Sequence, residues 1–346
     1  MRQHEPDSFV DYALALRREQ ADRLVNADGL LSFGVNYLDD CLGGLPRNSL
    51  LLLGAKTGAG KTHLATQIAH HNASEGKRVH YFALEAEPNE IQRRMKYQLL
   101  AAWWYGKPWD ERRGPQLNFI DWCNRRFGDQ FDKQEREIDA YLQEGYKNLK
   151  TYYRKRTDFT VGWFRKVFEG IQAETDLVIV DHLHYFDFDD DSENRALKTA
   201  MKGIRDAALL ANKPVILLAH MRKKERGSKC CLPDLDDFMG SSDLTKIATD
   251  VVLIGPGQAV GKGDTWPTLV RAAKCRRDMS RSRFVGVCGF DSKQVRYNEK
   301  YYVARWFDGM ENVKPLEHRD QLPYWAKNGS PMYDIPVQQD RKDIYG

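Results

Sequence analysis

Four consecutive leucines, Leu50–Leu53, run into Gly54-Ala55-Lys56-Thr57-Gly58-Ala59-Gly60-Lys61-Thr62-His63, and no other stretch of the 346 residues restricts the fold so strongly. An unbroken apolar run of this length reads as a strand buried on both faces. It ends in glycines, so its tip presents bare backbone. Successive amides at such a tip can curl around phosphate oxygens, a lysine can neutralise the β- and γ-phosphates, and a hydroxyl can ligate magnesium. Gly58, Gly60, Lys61 and Thr62 fit those roles, and Ala55, Thr57, Ala59 and His63 complete the cradle. The strict spacing is broken at one place, where Ala55 stands five residues before Gly60 and Gly54 lies one residue earlier. The expected ligands are ATP and Mg2+.

The rest of the chain alternates strand-like and helix-like segments. Helical spacing is expected from Ser8 to about Asn26, over Thr62–Asn72, from Pro88 through Trp104, over "VGWFRKVFEGIQ" and over "NRALKTAMKGIRDAALLAN". Strands are expected in "RVHYFALE", ending at Glu85, and in "LKTYYRKR", "DLVIVDHLHYF", "NKPVILLAHM", "ATDVVLIG", "TLVRAAKCRR" and "SRFVGVCGFD". This alternation implies an α/β fold: a mostly parallel twisted sheet with helices on both faces. Gly106 to Lys155 is aromatic and basic, and reads as a helical insertion with its own small core. The tail from Tyr301, rich in prolines and aromatics, is expected to wrap the domain or bind a partner.

Composition excludes more than it assigns. At 42% hydrophobic the chain can bury a full core, and 53 basic against 49 acidic residues give +4, too even a balance to prove a nucleic-acid partner. No apolar run reaches the ~20 residues of a membrane helix, and the amino terminus lacks the apolar stretch of a signal peptide. A cytoplasmic protein with no membrane partner is expected. Six cysteines lack paired CxxC spacing, so neither a zinc site nor a disulfide framework is indicated.

A P-loop ATPase also needs a carboxylate at a neighbouring strand end to hold the magnesium shell, and Asp181 after "LVIV" is the candidate. It further needs a group that orients the attacking water. Glu85 stands at a strand end, where ligands gather on such sheets, while Glu87 and Glu90 read as acids at the start of the next helix.

In order along the chain, "GAKTGAGKT", "HYFALEAEPNEIQRRM", "LVIVDHLHYF", "VILLAHM", "LPDLDDFMGSSDLTKIATDVVLI" and "AKCRRDMSRSRFVGVCGFD" resemble the RecA-like ATPase core of DnaB-type replicative helicases, over about Leu31 to Asn298. The resemblance implies Glu85 as the water activator and Asp181 as the Walker B acid. It places His220 where the family has a γ-phosphate-sensing glutamine, and His184 at a second glutamine position. It puts Gly240, Ser241 and Ser242 on a loop facing a central channel, where amides and small hydroxyls can follow a phosphate chain. Arg222, Lys223, Lys224 and Arg226 of "RKKERGSK" precede that loop as a solvated charge run or as DNA contacts. Lys274 and Arg276 match the Lys-x-Arg that reaches the ATP of an adjacent subunit, with Arg277 as the competing arginine.

By resemblance the chain is divided into a linker helix (1–30), the ATPase core (31–298) with its insertion (106–155), and a tail (299–346). The implied activity is ATP-driven translocation along single-stranded DNA by a homo-oligomer, a hexamer, with 5′ to 3′ polarity. A loader or primase partner is left open, because only about thirty residues precede the core, where the family carries its primase-engaging domain. A RecA- or RadA-like filament or a KaiC-like regulatory ATPase shares the first half of the pattern. A nucleotide-gated adaptor of a mobile element is a third class.

Overall fold

The computed structural model describes residues 30–112, 114–153, 159–187, 193–222, 232–238, 243–257, 265–306 and 313–332, together with positions 13, 16, 17 and 20. The expected helix from Ser8 to Asn26 therefore lies largely outside the described residues, as do Lys223, Lys224, Arg226, Gly240, Ser241 and Ser242.

In chain order the elements begin with helix α1 (Asn36–Leu42), strand β1 (Leu50–Ala55), α2 (Lys61–Ser74), β2 (Val79–Ala83) and α3 (Glu90–Tyr105). Helices α4 (Phe119–Cys123) and α5 (Asp132–Gly145) lead to β3 (Leu149–Tyr153), α6 (Val161–Ile171), β4 (Leu177–Asp181), α7 (Glu193–Ala211) and β5 (Val215–His220). After α8 (Asp243–Ile247) come β6 (Asp250–Pro256), β7 (Thr265–Cys275), β8 (Phe284–Asp291), β9 (Arg296–Trp306), β10 (Val313–Lys314) and β11 (Gly329–Pro331).

Among the described residues the eleven strands form one sheet in the order β10-β9-β8-β7-β6-β1-β5-β4-β2-β3, with β11 beside β9. From β3 to β6 neighbouring strands are parallel; from β6 to β10 they are antiparallel. The parallel expectation thus holds for the half that contains the P-loop. The other half is a meander, because β7, β8 and β9 follow one another through short connections that cannot make a parallel crossover.

The four leucines explain how the central strand is held. Leu51 and Leu53 face one core, with Leu64 and Ile68 of α2 and Tyr37 of α1. Leu50 and Leu52 face the other, with Phe164 and Phe168 of α6 and Leu197, Met201 and Ile204 of α7. Side chains alternate along a strand, so an unbroken apolar run needs cover on both faces. Each fully buried leucine contributes about 1.5–3 kcal/mol.

The residues after Gly106 build a third cluster, in which Leu117, Phe131 and Ile138 pack on Tyr97, Leu100 and Trp104 of α3. Its last segment, β3, leaves that cluster and pairs in parallel with β2 at the sheet edge. Strand β9 runs across Asn298, and Leu316, Trp325 and Ala326 lie in the main core, where Trp325 meets Tyr37 edge-on at 6.0 Å. Among the described residues of the tail, Leu316, Leu322, Trp325 and Ala326 pack on the domain.

Candidate functional site

Strand register brings the chemistry to one edge of the sheet. Ala55 at the end of β1 pairs with His220 at the end of β5, and Ala83 at the end of β2 pairs with Asp181 at the end of β4. Strand β2 stops two residues short of the expected Glu85. Leu84 and Glu85 turn there to donate their amides to the Asp181 carbonyl, at 2.7 and 3.3 Å. That turn carries the Glu85 side chain over the sheet edge.

The P-loop follows β1. Gly58 and Gly60 adopt φ of 78° and 93°, a conformation open to glycine and strained for other residues. Gly54 is required for another reason: a Cβ there would meet the Phe238 ring at 2.5 Å. The loop wraps a cleft of about 320 Å³ lined by Thr57, Gly58, Gly60, Lys61, Thr62, His63, Glu85, Asp181 and His220, all expected from sequence. Ala55 and Ala59 support it from behind: the Ala55 carbonyl accepts from Lys61 at 3.3 Å, and the Ala59 amide donates to the Lys56 carbonyl at 3.1 Å.

Lys61 is buried, and its ammonium also donates to His220 Nδ1 at 3.0 Å. Burial lowers its pKa, opposed by the charges of Asp181 and Glu85. Asp181 is 2% exposed, and one carboxylate oxygen, Oδ2, accepts from the Tyr81 hydroxyl at 3.0 Å. Its other oxygen, Oδ1, makes no hydrogen bond although it is buried. Burial raises this carboxyl to about 6, against the lowering effect of the Thr62 and Tyr81 hydroxyls. An orphaned buried carboxylate oxygen beside a P-loop hydroxyl fits a hard, oxygen-liganded cation such as Mg2+.

Glu85 is half-exposed, and its Oε2 lies 3.0 Å from His182 Nε2 and 4.0 Å from His220 Nε2. His182 is 1% exposed and the Asp181–His182 peptide is cis. Burial, then the neighbouring His220 and His184, pull His182 down to about 2. Burial and the Lys61 charge pull His220 to about 4, so both rings are neutral at physiological pH. His184 lies on a half-buried turn, its ring 5.7 Å from that of His220.

Sequence reasoning missed Tyr81 and Arg94, and also His182 beside Glu85. Tyr81 points inward from β2 as part of an apolar strand, and nothing in the sequence marks its hydroxyl as an Asp181 partner. Arg94 lines the cleft from α3, bonded to Glu90 at 2.5 Å and to His63 at 2.9 Å. The four-residue spacing of Glu90 and Arg94 was the available signal. It also gives Glu90 a role, as the acid that fixes Arg94.

The remaining candidates lie elsewhere. Arg222 is exposed just after β5, its amide bonded to the Asp237 carbonyl. Lys274 is turned into its own chain, where its ammonium caps α8 through the carbonyls of Thr245, Lys246 and Ala248 at 2.8, 3.2 and 2.7 Å. Arg277 is likewise bound to the Leu42 and Gly44 carbonyls at 2.5 and 2.9 Å. Arg276 is exposed, and its guanidinium makes no hydrogen bond among the described residues.

A family model described as an AAA domain matches residues 17–226, which include the P-loop, Glu85, Asp181 and His220. The chain belongs to this AAA-domain family. Among solved structures, this AAA-domain protein resembles a DnaB-like replicative helicase studied with its primase interactions: TM-score 0.61, 17% identity, 89% of this chain and 69% of that one covered. It also resembles a second solved structure, an ATPase domain, with a TM-score of 0.58 and 16% identity over 90% of this chain and 100% of that one. No curated protein sequence matches it. The AAA-domain chain therefore has the fold of a replicative-helicase ATPase domain. No helix among the described residues is long and apolar enough to cross a membrane.

Proposed function

We propose that this chain is an ATP-driven helicase or translocase on single-stranded DNA, working as a hexamer whose ATP sites are completed across subunit boundaries. Lys61 and the P-loop amides hold the phosphates. Thr62 and Asp181 would hold Mg2+, which would supply charge neutralisation to the phosphates. Glu85 accepts a proton from the attacking water, and His220 reads the presence of the γ-phosphate through its bond to Lys61.

The observation that carries the assembly is the position of Arg276. Cys275 pairs with Asp250, which pairs with Leu51, whereas the P-loop leaves β1 after Ala55. Four residue steps of parallel strand, roughly 13 Å, separate the two levels. Arg276 thus stands at the opposite edge of the sheet from its own P-loop and is suited to a neighbour's site. Arginine suits that task because its planar fork grips the charge spread over a transferring phosphoryl group.

Arg222, the charge run that follows it and the Gly240–Ser242 loop are the proposed contacts to the DNA backbone, and 5′ to 3′ movement rests on the helicase resemblance alone. The helicase-like fold also keeps a loader or primase among the proposed partners. A RecA-, RadA- or KaiC-like ATPase that assembles without unwinding is favoured by one observation: Lys274 is engaged by its own α8.

The deciding measurement is ATP hydrolysis with and without single-stranded DNA, followed by displacement of a forked duplex. DNA stimulation together with strand displacement is expected. Stimulation without displacement moves the chain to the second reading, and magnesium-independent or absent nucleotide binding removes both.

A further inference from the structure

The cleft brings two groups of the nucleotide reading, Glu85 and His220, together with His182, which that reading leaves unused. One ligand atom each from Glu85, His182 and His220 lies within 4.8 Å of the other two. Ligands on a tetrahedral ion with bonds of about 2.0–2.1 Å stand about 3.4 Å apart. The 3.0 and 4.0 Å separations from Glu85 Oε2 to the two Nε2 atoms bracket that value.

The contact between His182 and Glu85 is close without being a hydrogen bond. Nε2 of His182 lies 3.0 Å from the carboxylate, yet it is buried with no hydrogen-bond partner of acceptable geometry. His182 Nδ1 accepts the His184 amide at 3.3 Å, which places the ring's proton on Nε2, so His182, like His220, must change tautomer for Nε2 to bind an ion. The His182 and His220 rings lie 4.0 Å apart at 77°, so their edges converge on the carboxylate from different directions.

We propose that Glu85, His182 and His220 form a binding site for a divalent first-row transition ion of the Zn2+ or Co2+ class, separate from the Thr62–Asp181 magnesium position. Two neutral imidazoles and one carboxylate are the donor set that such ions select, whereas Mg2+ prefers an all-oxygen shell. The site has an open side toward the cleft, since Glu85 is half-exposed.

Binding has a built-in antagonist. Lys61 donates to His220 Nδ1, which places that ring's proton on Nε2, the atom facing the cluster. An ion at Nε2 needs the other tautomer, so Lys61 must release His220. The ion and the free P-loop lysine therefore oppose one another, and removing the lysine favours the ion both through its charge and through the tautomer. Resting on the proposed role of Glu85, an ion here withdraws the carboxylate from water activation and stops ATP turnover.

The test uses the full chain, with Co2+ as the probe, in excess Mg2+ to fill oxygen-rich positions. One Co2+ per chain is expected, with the visible absorption of a nitrogen-containing site of low coordination number. Asp181→Asn should retain that spectrum. His220→Gln and Glu85→Gln, which leave the buried His182 itself in place, should lose it or weaken binding by roughly tenfold or more. Lys61→Ala should abolish nucleotide binding while tightening Co2+ binding, so failure of the nucleotide reading and failure of the metal site have different signatures. The absence of a visible spectrum in the wild type, or an undiminished one in His220→Gln and Glu85→Gln, overturns the assignment.

Discussion

The two edges of the parallel half-sheet carry charge in opposite ways. At the carboxyl edge, Lys61, Asp181, Glu85, His182 and His220 are crowded together, mostly buried, and contact one another at 3.0–4.0 Å or through hydroxyls. At the amino edge, Lys274 and Arg277 are bound to carbonyls of their own chain, and Arg276 between them is exposed. One edge carries the P-loop cleft; the other carries an exposed arginine. Within one chain the sheet keeps them apart, and the proposed assembly would unite them through a second copy.

The sharpest way to break this contrast is at Arg276. Arg276→Ala should lower ATP turnover by roughly 10³-fold, the usual worth of an arginine finger, while leaving nucleotide affinity nearly unchanged. Mixing it with Glu85→Gln should restore part of the turnover, because some interfaces then pair an intact P-loop site with an intact arginine. An unmixed Arg276→Ala protein that turns over normally would place the whole reaction at the carboxyl edge.

Glu85→Gln tests the other edge. Loss of the water-activating carboxylate should cost roughly 10²-fold in turnover, with nucleotide binding retained. An equal loss in affinity would give Glu85 a role in holding phosphate or metal instead.

How much of this was legible in the sequence follows from what each feature depends on. The P-loop is local: glycines at Gly58 and Gly60 answer to positive φ, and Lys61 and Thr62 open the following helix, so spacing alone finds them. Asp181 was found because strand ends of a parallel sheet collect at one edge, and His220 through the helicase resemblance. Tyr81 and the His63–Arg94 contact were missed because they depend on which side chains meet across neighbouring elements. Lys274 shows the opposite limit. Its spacing to Arg276 matches a motif, but spacing does not say whose carbonyls the ammonium meets.

The pH dependence sharpens the comparison, since the carboxyl edge holds Asp181, a carboxyl raised towards neutrality. Asp181 is held at about 6 in the folded chain, above the ordinary carboxyl value of about 3.9. A raised carboxyl pKa means that the free native state takes up a proton before the unfolded state does, so this group favours folding more as pH falls from 7 through 6 towards 4. Magnesium needs the ionised form, so the sign reverses for the complex: affinity for Mg2+-nucleotide should fall as pH drops through about 6, by roughly tenfold per unit below it. Calorimetric titration from pH 7.5 to 5 measures this, and Asp181→Asn should be weak and flat throughout.

The smallest expected effect is the most specific to the geometry. The Tyr81 hydroxyl, 3.0 Å from Asp181 Oδ2, stabilises the ionised carboxylate, so Tyr81→Phe should move the acid limb of Mg2+-nucleotide binding upward. A neutral-to-charged hydrogen bond is worth about 1.5 kcal/mol, which corresponds to roughly one pH unit. At pH 7.5 the loss in affinity should be slight and near pH 6.5 several-fold, whereas a purely structural loss would lower affinity equally at both. Arg276→Ala, at the far edge, should leave the limb where it is. If Tyr81→Phe leaves it unmoved as well, the tyrosine only packs the core, and the carboxylate is tuned by burial and Thr62 alone.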